Sequence, residues 1–95
     1  MKIVWSKKAA NSLESYLDFI AMDKPETAEK WAERVFKKIE SILQYPNIGK
    51  ELKPSGKPSR KSIVIEKNYL AIYKIIKDRC LIVAFRRTCI HKSGS

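Results

Sequence analysis

Histidine occurs once in this 95-residue chain, cysteine twice and glycine three times, and acidic side chains are outnumbered two to one by Lys and Arg. Each shortage closes off some chemistry. Cys80, Cys89 and the lone His91 cannot compose a four-ligand zinc site or a multi-cysteine disulfide framework. Both cysteines are expected as reduced thiols, Cys80 as a small buried hydrophobe within an apolar stretch. There is no glycine-rich phosphate loop, no serine elbow and no His/Asp/Glu cluster, so neither a metal nor a cofactor is expected. The longest apolar run, Leu81 to Phe85, falls far short of the roughly 20 residues that cross a bilayer. Met1-Lys2-Ile3-Val4-Trp5 is followed by charge rather than by an apolar export segment. The expectation is a soluble, cytoplasmic protein with no membrane partner.

What the chain has in excess is positive charge, 20 Lys and Arg against 10 Asp and Glu, a net of +10. Residues 1–49 hold eight basic and seven acidic side chains, whereas residues 50–95 hold twelve basic side chains and only Glu51, Glu66 and Asp78. Such asymmetry predicts attraction of the C-terminal half to a polyanion or an acidic protein surface. With 44% apolar residues in one domain's length, residues 1–95 are expected to form a single core, with 91–95 as a flexible polar tail.

Hydrophobic periodicity supplies the elements. Met1 to Trp5 is rich in strand formers, and Ser6 stands where a helix N-cap belongs. Ala9, Ala10, Leu13, Tyr16, Leu17 and Ile20 recur at helical steps, which predicts a first helix over 7–21. Pro25, after Asp23 and Lys24, opens a second helix whose stripe is Ala28, Trp31, Ala32, Val35, Phe36, Ile39, Ile42 and Leu43, ending before Pro46 and Gly49. Trp31 and Phe36 are expected in the core. Residues 48–59 read as a basic loop. Three β-rich runs follow, 62–66, 69–76 and 80–86, separated by gaps so short that they form an antiparallel meander. The fold class is therefore α+β: a short N-terminal strand joining the sheet edge, and an antiparallel helix hairpin packed on a small antiparallel sheet.

Candidate functional residues come from the basic half. Arg60 and Lys61 start the second strand and Arg86 and Arg87 end the last, so the meander puts the two groups at opposite ends of the sheet. A guanidinium offers a planar fork suited to phosphate or carboxylate. Arg60, Lys61, Arg87 and His91 are the candidates for catalysis. Lys50, Lys53, Lys57, Arg60, Lys61, Tyr73, Arg86 and Arg87 are the candidates for binding a target or partner. Tyr73 has two readings, a core residue, which the covering helices favour, or a stacking platform. His91 lacks an acidic neighbour in sequence to orient it for acid–base work.

Val4-Trp5-Ser6 with Ala9 and Leu13, then Tyr16, Ile20, Pro25 and Ala28, the Pro-Asn-Ile-Gly exit at 46–49, Arg60, and Tyr69 and Tyr73 occur in an order that resembles the RelE/ParE superfamily of type II toxin–antitoxin toxins. The resemblance covers nearly the whole chain. It implies a growth-inhibiting toxin held inactive by a cognate acidic antitoxin, acting either on DNA gyrase or as a ribosome-dependent mRNA endonuclease. Endonuclease members carry an arginine after the tyrosine that opens the third strand, where this chain has Leu70, and a basic residue where it has Ile63. The chain also ends without a C-terminal tyrosine. These departures favour non-hydrolytic, ParE-like poisoning of DNA gyrase. The endonuclease is the alternative, and a basic nucleic-acid or protein-binding module outside such systems is a third class.

Overall fold

The fold was taken from a computed structural model, which describes residues 1–52, 60–66 and 68–88. Strand β1 (Lys2–Trp5) runs into helix α1 (Lys7–Asp23) through Ser6. The Ser6 hydroxyl accepts from the Ala9 N–H and donates to the carbonyl of Val83, both at 3.0 Å. A residue that caps the helix thus also ties it to the last strand. Helix α2 (Pro25–Gln44) follows after Lys24 alone. Proline disfavours helical backbone at the residue before it, and Lys24 is extended at φ −145°, ψ 100°. Its N–H closes α1 on Ile20 and its carbonyl opens α2 on Ala28. The first helix runs two residues beyond the expected 21 because only Pro25 stops it.

Four further strands complete the sheet: β2 (Lys50–Glu51), β3 (Lys61–Ile65), β4 (Tyr69–Ile76) and β5 (Arg79–Arg87). Their order is β1-β5-β4-β3-β2, with β1 parallel to β5 and the other pairs antiparallel. The α+β class, the helix hairpin, the meander and the edge position of β1 agree with the sequence reading. Strand β2 corrects it, since Lys50 and Glu51 lie within the segment expected to be loop. Strand β3 stops at Ile65 because Glu66 turns the chain at φ +51°.

Both helices cover one face of the sheet. Their stripes, chiefly Ala9, Leu13, Trp31, Val35, Ile39 and Ile42, meet Ile63, Ile65, Ala71, Tyr73, Cys80, Ile82 and Phe85. Two residues of β5 that differ by an odd number, Ile82 and Phe85, both point into this core. The pairing explains how: Ile72 opposes Ala84 but Tyr73 opposes Ile82, so Val83 is an extra residue that shifts the alternation by one. Phe36 departs from expectation. It is 44% exposed at the edge of the stripe and meets the Trp5 ring edge-on at 6.0 Å rather than entering the core.

Candidate functional site

Strand register decides where each cation goes. Alternation sends adjacent side chains to opposite faces. Lys61, opposite Tyr73, and Arg87, opposite Tyr69, therefore belong to the helix-covered side, while Arg86, opposite Leu70, and Lys50, opposite Ser62, belong to the other. Lys61 and Arg87 lie four residues apart along the strands and two strands apart across them. That separation is roughly 16 Å from the usual strand spacings. Lys61 also faces Glu51 across β2, and the backbone N–H of Arg87 donates to the Tyr16 hydroxyl at 2.9 Å. Arg60 is exposed, its carbonyl accepting from the Leu52 N–H. Lys53, Lys57 and His91, and the tail 91–95, lie outside the described residues.

Tyr73 is corrected from a candidate contact to a structural residue. It is fully buried, its hydroxyl accepting from the Gly49 N–H and donating to the Pro46 carbonyl, both at 3.0 Å. These bonds pin the exit of α2 against β4. Burial raises its phenol pKa above the ordinary value, the Gly49 N–H opposes that by stabilising the phenolate, and Cys80 adds a smaller push upwards.

The sheet face away from the helices is where cations gather. Lys2, Arg79, Lys74, Arg86 and Lys50 share it by register, and no strand residue on it is acidic. Lys2, Lys50, Arg79 and Arg86 are exposed and Lys74 is half-buried. Val4, Val64 and Ile76 are exposed among them, while Ile72 and Ala84 are buried at its centre. Lys2, Lys74 and Arg79 were missed in the sequence because their common face depends on the parallel β1–β5 pairing and on the shifted register of β4 with β5, which no local pattern states.

A second surface lies at the other edge. An open groove of about 630 Å³ runs between α2 and β3, bordered by Arg34, Lys37 and Lys38 on the helix and by Ile48, Val64 and Glu66 opposite. Arg34 Nε donates to Glu66 Oε1 at 2.8 Å at one end. Weighing charge by half-chain hid these cations, since α2 carries acids on its other turns.

Among the described residues no three His, Cys, Asp or Glu side chains could hold a metal ion. No helix there is long and apolar enough to cross a membrane. Cys80 is fully buried, and desolvation pushes its thiol up to about 11 from 9.0. The folded state then holds the proton that the unfolded state releases, so this group's contribution is intact below pH 9 and is lost as pH rises towards 11. In a Cys89→Ser background, stability should fall by about 1.4 kcal/mol per pH unit through that window. Cys80→Ala should flatten the fall, measured as urea midpoints against pH.

The sequence model of the family described as "ParE toxin of type II toxin-antitoxin system, parDE" matches residues 3–88. A solved structure of the chromosomal ParDE toxin–antitoxin system from P. aeruginosa is similar in fold, with a TM-score of 0.74 and 23% identity over 93% of this chain and 96% of that one. No curated protein matches the chain by sequence.

Proposed function

The chain belongs to the ParE toxin family of type II toxin–antitoxin systems, and from that premise we propose that it arrests growth by binding DNA gyrase and trapping its cleaved-DNA state, without hydrolysis by its own side chains. Its partner within the module is a cognate antitoxin. The observation that carries the choice of target is the basic sheet face, with Lys2, Lys50, Lys74, Arg79 and Arg86 on one side of the sheet. That layout suits a broad anionic assembly such as gyrase on DNA. It suits a single scissile phosphate poorly, because in-line cleavage needs cations and an acid converging within hydrogen-bond reach. Lys61 and Arg87 are held roughly 16 Å apart by the strand spacings.

Purified protein incubated with gyrase and supercoiled plasmid should accumulate cleaved DNA, and expressing cells should mount a DNA-damage response with intact messages. Arg79→Glu/Arg86→Glu should weaken the effect roughly a hundred- to ten-thousand-fold, because each of the two lost charge-assisted bonds costs about 1.5–3 kcal/mol. The thermal midpoint should barely move, since both side chains are exposed. Messages cut in codon register, with gyrase unaffected, would overturn the choice in favour of the endonuclease.

A further inference from the structure

We infer that the basic sheet face binds the phosphate backbone of duplex DNA directly, along a diagonal row of Lys2, Arg79, Lys74, Arg60 and Lys50. This rests on the gyrase reading for its setting and gives that face a ligand, the DNA segment itself.

Register lays out the row. Lys2 opposes Arg79, which opposes Ile76, so these three share one level of the sheet. Lys74 stands two residues back along β4 from Ile76. Arg60 immediately precedes β3, and since Lys61 opposes Tyr73, it falls opposite Lys74, held in the ladder by the Leu52 N–H on its carbonyl. It alternates with Lys61 and so takes the face away from the helices. Lys50 opposes Ser62, which opposes Ile72, a further two residues along. With strands about 4.8 Å apart and residues about 3.3 Å along them, neighbours in the row stand roughly 5 and 8 Å apart by turns, and the whole runs roughly 23 Å. One cation comes from each strand position in order, from one sheet edge to the other.

The row is not neutralised from within. Arg34 with Glu66 is the one ion pair among the described residues, and neither belongs to this face. Glu51 alternates with Lys50 towards Lys61, and Asp78 is confined to the turn beside the Lys2–Arg79 end. A regular line of unpaired cations matches a polymer with regular charge, and roughly 23 Å runs beside about seven phosphates of one strand at 3.4 Å each. The apolar members of the face select the form of that polymer. Every aromatic residue of the strands, Trp5, Tyr69, Tyr73 and Phe85, packs on the helix-covered side. The basic face thus has cations for a backbone but no ring on which an unpaired base could stack, which single strands use for affinity.

The test titrates the intact purified chain, without gyrase, into a fluorescein-labelled duplex of about 20 base pairs and arbitrary sequence, read by anisotropy over a series of salt concentrations. Five neutralised phosphates predict a slope of log K against log salt of about −4.5, at about −0.9 each. Lys50→Gln/Arg60→Gln, at two exposed positions, should flatten the slope by about 1.8 and weaken binding at least about tenfold at about 0.1 M salt. Lys37→Gln/Lys38→Gln removes the same charge from α2 and should move the slope by less than about 0.5. Arg60→Lys should keep the slope that Arg60→Gln loses, which a loss of folding cannot imitate. A single strand of the same sequence should bind at least about tenfold more weakly. Equal slopes for the row and helix variants, single-stranded DNA or RNA bound as tightly as the duplex, or no duplex binding at low salt would each overturn the inference. Cleaved plasmid with gyrase but no binding of duplex alone would sink it and leave the gyrase reading in place, whereas duplex binding without gyrase-dependent cleavage would do the reverse.

Discussion

Phe85→Ala should cost about 3–5 kcal/mol, the largest loss expected from any single truncation described above. Phe85 is 1% exposed and stands at the centre of the aromatic packing. It stacks on Tyr69 at 5.8 Å with the planes 10° apart, and touches Trp5 at 6.1 Å, Tyr16 at 5.9 Å and Trp31 at 6.2 Å. These rings come from β1, α1, α2 and β4, so one side chain joins every layer of the fold. Its removal leaves a void bordered by rigid rings, which collapse less readily than aliphatic chains. A domain of this size has a total stability of about 5–15 kcal/mol. The thermal midpoint should therefore fall by roughly 15–30 °C. Phe36→Ala is the control: its ring is half in solvent, and about 1 kcal/mol is expected. A similar small loss for both would show that the layers do not depend on Phe85.

Gly49→Ala should be nearly as damaging for a different reason. A Cβ at this position would lie 2.7 Å from the Tyr73 hydroxyl, 2.8 Å from its Cε1 and 2.9 Å from the Ser62 carbonyl. Two of these contacts are with a buried ring and a strand backbone, neither of which can swing aside, so about 2–3 kcal/mol of strain is expected. Tyr73→Phe alone should cost about 1–3 kcal/mol, because the Gly49 N–H and the Pro46 carbonyl both lose their partner. The double variant removes the nearest clash along with the bonds already broken, so the costs should sum to less than additive by about 1 kcal/mol. Urea midpoints of the four proteins measure this. Strict additivity would show that Gly49 and Tyr73 act independently.

How much of this was readable in the sequence follows the range of the signal. The helices were legible because the stripes from Ala9 to Ile20 and from Ala28 to Ile42 repeat over several turns, and because Ser6 and Pro25 mark their starts. The meander was legible from gaps too short for anything else. Strand β2 was not, since two residues, Lys50 and Glu51, carry no period. The surfaces were the least legible part. Arg86 and Arg87 read as a pair along the chain, yet alternation sends them to opposite faces, and the extra residue Val83 sets which face Arg79 and Cys80 take. Arg34, Lys37 and Lys38 escaped notice because Glu33, Glu40 and other acids on α2 cancel them in any sum by sequence. A net charge averages over directions that only a folded chain distinguishes.

The parallel pairing of β1 with β5 also bears on the order of events during synthesis. Lys2 to Trp5 align with Arg79 to Ile82, so the first strand to leave the ribosome must wait for the last. Contacts that close so long a loop form late, after the local helix hairpin and the β3–β4 turn. Until β5 arrives, β1 has no neighbour in the sheet and β4 is paired on its β3 side alone, and the stripe of α1 lacks Phe85 and Ile82. A ribosome stalled before residue 79 would therefore hold a chain without its core or the β1–β5 part of its basic face. The β1–β5 part of the basic face forms only once β5 has been made, and an antitoxin that recognises it would meet a chain whose outer strands have already joined.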